Sequence, residues 1–112
     1  MQYMLLIYGV EGAEDVDMDT LLEQYGVFSE EAGKAGVLIS GEGLDPVSTA
    51  TSVRVRNGET SITDGPFAET KEALGGYYLL ECENLDEALS WAAKIPSARY
   101  GTVEVRPVMA YE

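Results

Sequence analysis

Two stretches of this sequence are apolar through most of their length: QYMLLIYG, residues 2–9, and GGYYLLECE, residues 75–83. Successive side chains of a β-strand point to opposite faces of the sheet. A strand that is apolar in both alternating sets therefore needs cover on both faces, which is the situation of a central strand. These two stretches predict the two central strands of the fold.

The segment at about residues 18–35 carries its apolar side chains at helical spacing and predicts the first helix. Either Asp17 or Asp19 can cap its start, and Gly36 can end it. The apolar positions are Met18, Leu21, Leu22, Tyr25, Phe28, Ala32 and Ala35.

A second helix is predicted in NLDEALSWAAKIP, residues 84–96. Asn84 stands three residues before Glu87, which is a capping-box arrangement, and Pro96 ends the helix. The apolar stripe consists of Leu85, Ala88, Leu89, Ala92 and Ile95.

The dipeptide Asn57-Gly58 lies between two alternating runs, residues 51–56 and 59–63. Asn-Gly in this setting is the strongest short-range signal for a β-hairpin with a type I′ turn. Two further segments predict strands, namely residues 37–44 and 102–108.

The resulting order is β-α-β, hairpin, β-α-β, in a single domain spanning residues 1–112. With right-handed crossovers, this order predicts an α+β fold of the ferredoxin-like split βαβ type. We expect an antiparallel sheet with strand order 4-1-3-2, an inserted β-hairpin, and two helices on one face.

Two helices can cover only one face of such a sheet, yet the first strand is apolar on both faces. An uncovered apolar face of this size is typical of an interface. We expect a homodimer in which the two open sheet faces pack together, with any ligand pocket between the sheet and the edge of the first helix. The alternative is a monomer whose own hairpin covers the face.

The chain has 20 acidic and 7 basic residues, no histidine and a net charge of −13. Such a surface repels phosphate backbones and anionic lipids, so nucleic acid and membranes are not expected as partners. Without histidine, the chain lacks the usual proton shuttle near neutral pH and the commonest metal ligand. We expect no metal and no cofactor.

Cys82 is the single cysteine, so the chain can form neither an internal disulfide nor a thiolate metal site. Its apolar surroundings in the sequence favour a buried structural thiol. No apolar run of about 18 residues and no basic signal peptide is present, and we expect a cytoplasmic protein.

The stretch TDGPFAETKE, residues 63–72, combines a turn with possible chemistry. Asp64 could act as a general acid or base or anchor a ligand, or its side chain could bond backbone amides in an Asx-turn. Gly65 and Pro66 fit a turn, and Phe67 could fill an apolar gap or stack on a ligand.

The last strand alternates, with Val103 and Val105 expected to face the helices and Glu104 and Arg106 the opposite face. Arg106 could pair with a carboxylate of Glu104, Glu81 or Asp64, or bind an anion in a pocket. Tyr77 could add its phenol to the same cavity, and Tyr25 could lie in the core or in a pocket wall.

The segments YMLLIYG, GVLISGEGL, DGPFAETKEALGGYYLLE and ARYGTVEVRPVM resemble the DGPF subgroup of the YCII-related proteins, essentially from end to end. The resemblance implies a dimeric α/β barrel. It also implies a regulatory or stress-linked setting, since some DGPF-type domains accompany extracytoplasmic-function sigma factors.

Some members of the broader family carry a His-Asp pair proposed as catalytic, and one branch acts as a dehydrochlorinase on chlorinated hydroquinones. By the resemblance, the histidine position falls on Tyr25 and the aspartate position on Ile95. An isoleucine cannot ionise, and a tyrosine with a pKa of about 10 is a poor base at neutral pH. That chemistry is not expected here.

Two hypotheses follow. The first is a non-catalytic dimeric module that binds a small molecule or a protein. The second is a small-molecule enzyme of the lyase or hydrolase kind, with Asp64 acting beside Tyr25 or Tyr77 and Arg106. The missing His-Asp pair favours the first.

Overall fold

The computed structural model describes residues 1–12 and 17–110. Along the chain the elements are β1 (Gln2–Gly9), α1 (Met18–Lys34), β2 (Leu38–Gly43), β3 (Thr51–Arg56), β4 (Glu59–Asp64), β5 (Ala73–Glu81), α2 (Leu85–Ala92) and β6 (Thr102–Pro107). Short 3₁₀ turns at Val47–Thr49 and Pro96–Arg99 lead into β3 and β6.

Four strands form an antiparallel sheet in the order β2-β5-β1-β6, which is 4-1-3-2 when these strands alone are numbered and read from β6. The two apolar stretches, β1 and β5, lie in the middle. Leu5 pairs with Tyr78 on one side and with Val105 on the other. The molecule is thus a mixed α+β fold with two helices against an antiparallel sheet.

Helix α1 begins at the predicted position because the Asp17 carboxylate accepts a hydrogen bond from the Asp19 amide at 3.2 Å. It ends before Gly36, whose φ of 75° lies in the left-handed region that glycine adopts without strain. Of the two cap candidates, Asp17 is the one used.

Helix α2 begins as predicted, since the Asn84 side chain accepts from the Glu87 amide at 2.9 Å. It ends at Ala92, earlier than the predicted stop at Pro96. A proline disfavours the helical conformation of the residue before it, and Ile95 is extended with ψ of 126°. Ile95 is fully buried where the chain turns.

The core lies between the helices and one face of the sheet. Its buried members are Tyr3, Leu5, Ile7, Phe28, Ala32, Tyr78, Leu80, Cys82, Ala88, Ala92 and Ile95, with Val103 and Val105 packed against them. Cys82 is therefore a buried thiol, as predicted.

The opposite face of the sheet, which we call the open face, has no helix against it. Its apolar side chains, from β1 and β5, are half-buried: Met4, Leu6, Tyr77 and Leu79. Glu104 and Arg106 are exposed on the same face, because they alternate with Val103 and Val105. The prediction for the two faces of the last strand is confirmed.

The hairpin β3–β4 forms a two-stranded sheet of its own. Asn57 and Gly58 have φ of 52° and 78°, as a type I′ turn requires. The radius of gyration is 16.0 Å, compared with roughly 13 Å for a compact chain of this length. Because its side chains are exposed, the hairpin does not cover the open face, and the monomeric alternative is wrong on this point.

Candidate functional site

A half-open cleft of about 1100 Å³ lies between the N-terminal half of α1 and the sheet end where β1 finishes and β5 begins. The turn Pro96–Arg99 and the residues before β6 complete its wall. Its apolar and aromatic lining consists of Ile7, Tyr8, Val10, Met18, Leu21, Leu22, Tyr25, Leu44, Ala73, Tyr78 and Tyr100. The cleft lies where the sequence predicted a pocket, at the edge of the first helix.

Glycine allows the backbone segments of the cleft to approach closely. A Cβ on Gly101 would overlap the carbonyl oxygen of Tyr8 and lie 3.0 Å from the Cα of Gly9. Any larger residue would therefore force β1 away from the start of β6. Gly101 closes this side of the cleft.

Two hydroxyl groups meet in the cleft wall. The Tyr25 hydroxyl lies 2.5 Å from Ser97 Oγ, within hydrogen-bond distance, and so joins α1 to the turn after α2. Burial raises the pKa of Tyr25 above its ordinary value of 10.0, and the hydrogen bond with Ser97 offsets this only in part. At neutral pH Tyr25 is thus a protonated phenol, able to donate or to accept a hydrogen bond.

A second hydroxyl contact lies beside the first, because Ser29 Oγ is 3.2 Å from the hydroxyl of Tyr78. The rings of Tyr25 and Tyr78 are stacked, with centroids 6.4 Å apart and planes at 25°. Phe28 supports Tyr78 from the core, with centroids 4.7 Å apart. The two phenols are therefore held in fixed positions by aromatic packing.

The charged side chains of the cleft lie at its margin. Among the described residues that line it, Arg99 is the sole cation and is exposed. Glu11 Oε2 accepts a hydrogen bond from the Val47 amide at 2.9 Å, which ties the loop after β1 to the chain leading into the hairpin. Glu42 is exposed to solvent. The arrangement suits a mainly apolar ligand that presents an oxygen to the hydroxyl pair.

Of the residues that the sequence singled out, Tyr25 lies in this cleft. Asp64 is exposed at the end of β4, and its carboxylate bonds no amide within residues 1–12 and 17–110, so the expected Asx-turn does not form. Gly65 makes the turn instead: its φ is 105°, its amide donates to Ala50 O at 2.7 Å, and its carbonyl accepts from Ser52 Oγ at 2.8 Å.

Phe67 is 81% exposed, so the expectation that it fills an apolar gap is wrong within one chain. The hairpin stands away from the core and offers no gap to fill. Pro66 and Phe67 instead border a shallow depression of about 260 Å³, whose other lining residues are Ser52, Arg54, Ser61 and Thr63.

Tyr77 and Arg106 lie on the open face, apart from the cleft. No carboxylate of the described chain lies within ion-pair distance of Arg106, so the expected pair with Glu104, Glu81 or Asp64 is absent. Glu81 pairs with the N-terminal amine of Met1 at 2.5 Å. Because Arg106 stays hydrated, the single chain does not require it to be paired. Binding of a ligand by Asp64, Gly65, Pro66, Phe67, Tyr77 and Arg106 stays a prediction.

The sequence interpretation missed Ser97, Ser29, Tyr78 and Arg99. Ser97 directly follows the Ile95-Pro96 pair, which was the available signal: the turn that Pro96 imposes directs the next side chain toward α1. In the part of the chain that the structure describes, no three His, Cys, Asp or Glu side chains are grouped so as to hold a metal ion. None of the described helices is both long and apolar enough to span a membrane.

The fold and the site together define a small α+β domain with an apolar cleft between its first helix and its sheet. The chain belongs to the YCII-related domain family, whose model matches residues 1–112. It is 46% identical over 84 residues, 73% of this chain, to an uncharacterized protein of Rhizobium meliloti (strain 1021), and the match spans 65% of that protein's length.

Among solved structures, the chain is similar to 5-chloro-2-hydroxyhydroquinone dehydrochlorinase from Burkholderia phenoliruptrix AC1100, in complex with 2,5-dihydroxybenzoquinone. The TM-score is 0.54 at 12% identity, over 97% of this chain and 94% of that one. At this identity the similarity concerns the fold.

Proposed function

We propose that this protein is a homodimeric module that binds a small, mainly apolar molecule carrying a hydroxyl or carbonyl oxygen, and that it does not catalyse a reaction. One observation carries the proposal: a protonated Tyr25 hydroxyl, paired with Ser97 Oγ at 2.5 Å, is set in the wall of an otherwise apolar cleft. Ligand sites of this kind are apolar pockets in which a few fixed polar groups orient the ligand.

The composition of the cleft argues against proton-transfer chemistry. Tyr25 has a raised pKa and is a poor base at neutral pH. Its hydroxyl partner is a serine, and the chain has no histidine. Ile95, at the position where the family resemblance places an aspartate, is fully buried and cannot ionise.

The homodimer is supported by the amount of exposed surface. The chain exposes 8017 Å², whereas a compact monomer of 12.1 kDa exposes roughly 6000 Å². The excess is larger than the roughly 800 Å² per partner of a standard interface. In our proposal two open faces pack together into a dimeric α/β barrel. Membership of the DGPF subgroup, a link to sigma factors or stress, and a cytoplasmic location stay predictions.

The alternative is a lyase or hydrolase that uses Asp64 with Tyr25 or Tyr77 and Arg106. The alternative is supported by the fold alone, which is similar to that of the dehydrochlorinase named above. However, Asp64 lies at the base of the hairpin and outside the cleft of its own chain. The alternative therefore requires a second subunit to supply Asp64, and Asp64→Asn would then abolish turnover of a bound ligand.

Binding can be tested by calorimetry and thermal shift with a panel of p-cresol, hydroquinone and benzoate. We expect saturable binding by at least one phenol, weakened about fivefold to tenfold in Tyr25→Phe, since a net hydrogen bond contributes about 1 kcal/mol. Ser97→Ala should give a similar loss, and the double variant should lose less than the sum, because the two hydroxyls act together.

Tyr3→Phe is the matched control, because it removes a phenol hydroxyl from a residue that does not line the cleft. The affinity of the Tyr3→Phe variant for the phenol should equal that of the wild type. Equal affinity in Tyr25→Phe and wild type would refute the role of the hydroxyl pair, and consumption of the phenol by wild type would favour the enzyme.

A further inference from the structure

The β3–β4 hairpin, which we call the arm (residues 51–64), has one apolar and one polar face. The register pairs Val53 with Ile62 and Val55 with Thr60, so these side chains share a face. On that face Val53, Val55 and Ile62 are 61%, 57% and 68% exposed. The other face carries Ser52, Arg54, Arg56, Glu59, Ser61 and Thr63.

An arm of this kind is not stable through its own contacts. An isolated two-stranded hairpin is marginal in water and needs further strands or cover on an apolar face. Within the described residues, no third strand pairs with β3 or β4, and the apolar face is uncovered. The sequence nevertheless specifies the arm strongly, through the Asn57-Gly58 turn and through β-branched residues on one face. A surface beyond the described residues is needed to cover it.

Charge favours a second copy of the chain as that surface. The arm is neutral, since Arg54 and Arg56 offset Glu59 and Asp64, so the remainder of the chain carries the whole net charge of −13. A neutral arm can approach a second acidic body with less repulsion than the acidic segments of the chain would meet.

Two unpaired charges are complementary as well. Asp64 lies on the apolar face of the arm, two residues after Ile62, and Arg106 lies on the open face. Neither side chain has an oppositely charged partner within ion-pair distance among residues 1–12 and 17–110.

We propose that the arm is an exchanged dimerisation element. Its apolar face packs on the open face of a second copy, over the apolar side chains of β1 next to β6, and Asp64 pairs with the partner's Arg106. By two-fold symmetry each subunit gives one arm and receives one. The inference rests on the proposed homodimer and adds the element that holds it together.

Mixing two charge variants tests the pairing between subunits. Asp64→Arg and Arg106→Asp should each weaken dimerisation about tenfold in sedimentation experiments, because each homodimer then contains two like-charged pairs. An equimolar mixture should dimerise within about threefold of the wild-type Kd, because the heterodimer contains one native and one reversed pair. If mixing gives no recovery, the pairing is refuted.

A second pair of variants tests whether the apolar face of the arm makes the contact with the second copy. Ile62→Lys should weaken the dimer at least tenfold, whereas the matched control Thr63→Lys, one residue away on the polar face with the same added charge, should stay within about threefold of wild type. Equal Kd values for Ile62→Lys and wild type would overturn the arm proposal and leave the sheet-to-sheet dimer standing. A wild type that is monomeric throughout would overturn both.

Removal of the arm gives an independent test, since the Gly65 amide lies 2.7 Å from Ala50 O and a Gly-Gly link can replace residues 51–64. The core elements share no strand pairing with the arm, so the far-UV spectrum should keep its helical signal. The shortened chain should be monomeric at concentrations where the wild type is dimeric. A shortened chain that dimerises like the wild type would contradict the proposal.

Discussion

The hydroxyl of Tyr25 lies 2.5 Å from Ser97 Oγ, so α1 is joined to the turn after α2 across a separation of 72 residues. The contact sits in the wall of the cleft, where burial raises the pKa of Tyr25. One hydrogen bond therefore joins two elements of the cleft wall and fixes the position of the Tyr25 hydroxyl there.

The raised pKa of Tyr25 predicts a loss of stability at alkaline pH. The folded pKa lies above the unfolded value of about 10, so the folded state holds its proton more tightly. The stabilisation is complete below about pH 10 and is lost as pH rises through the folded pKa. The free energy of unfolding, measured by urea titration, should therefore fall more steeply above about pH 10 in wild type than in Tyr25→Phe. If the free energy of unfolding fell equally with pH in the two proteins, the stability loss could not be assigned to Tyr25.

Cys82 should be unreactive in the folded protein. Burial, followed by the nearby Glu87 carboxylate, raises the pKa of this thiol to about 11. At about pH 8 the thiolate fraction is then on the order of 100-fold lower than for a free cysteine, and the buried sulfur is also poorly accessible to reagents. Ellman's reagent should react slowly with the native chain and rapidly in concentrated guanidinium chloride. Rapid modification of the native chain would show an accessible thiolate.

The sequence was most informative where the pattern is local. Asn57-Gly58, Asn84 and the apolar stretches that form β1 and β5 each predicted the element that the structure contains. Such signals depend on backbone conformation and on burial of neighbouring side chains, which a short segment already determines.

The site was predicted in part, because it depends on where distant segments meet. Helical spacing placed Tyr25 on the apolar side of α1. It could not show that Ser97, 72 residues away, lies within hydrogen-bond distance of it. Phe67 was expected to be buried because it is aromatic, yet it belongs to a segment that leaves the core and is exposed in one chain. Burial of such a residue is decided by tertiary or quaternary contacts.

Two glycines give opposite predictions. Gly33 lies in α1 and a Cβ there would meet nothing within 4 Å, so Gly33→Ala should raise the free energy of unfolding by about 0.5–1 kcal/mol. Gly101→Ala should lower it by about 1–3 kcal/mol, because the Cβ would collide with the carbonyl oxygen of Tyr8. Urea denaturation of both variants checks the pair. Equal effects would mean that β6 can shift away from β1 at little cost.

Substitutions at Ile95 test whether this position has a structural or a catalytic role, because the family resemblance places an aspartate there. Its side chain is fully buried beside the end of α2. Ile95→Val should cost about 1 kcal/mol, whereas Ile95→Asp should cost about 3–5 kcal/mol, since it buries an unpaired carboxyl group in place of apolar packing. Chemical denaturation near neutral pH gives both values, and the loss in Ile95→Asp should be smaller at low pH, where the carboxyl group is neutral. An Ile95→Asp protein as stable as the wild type would show that this position can accommodate a carboxylate, and the non-catalytic proposal would lose one of its physical supports.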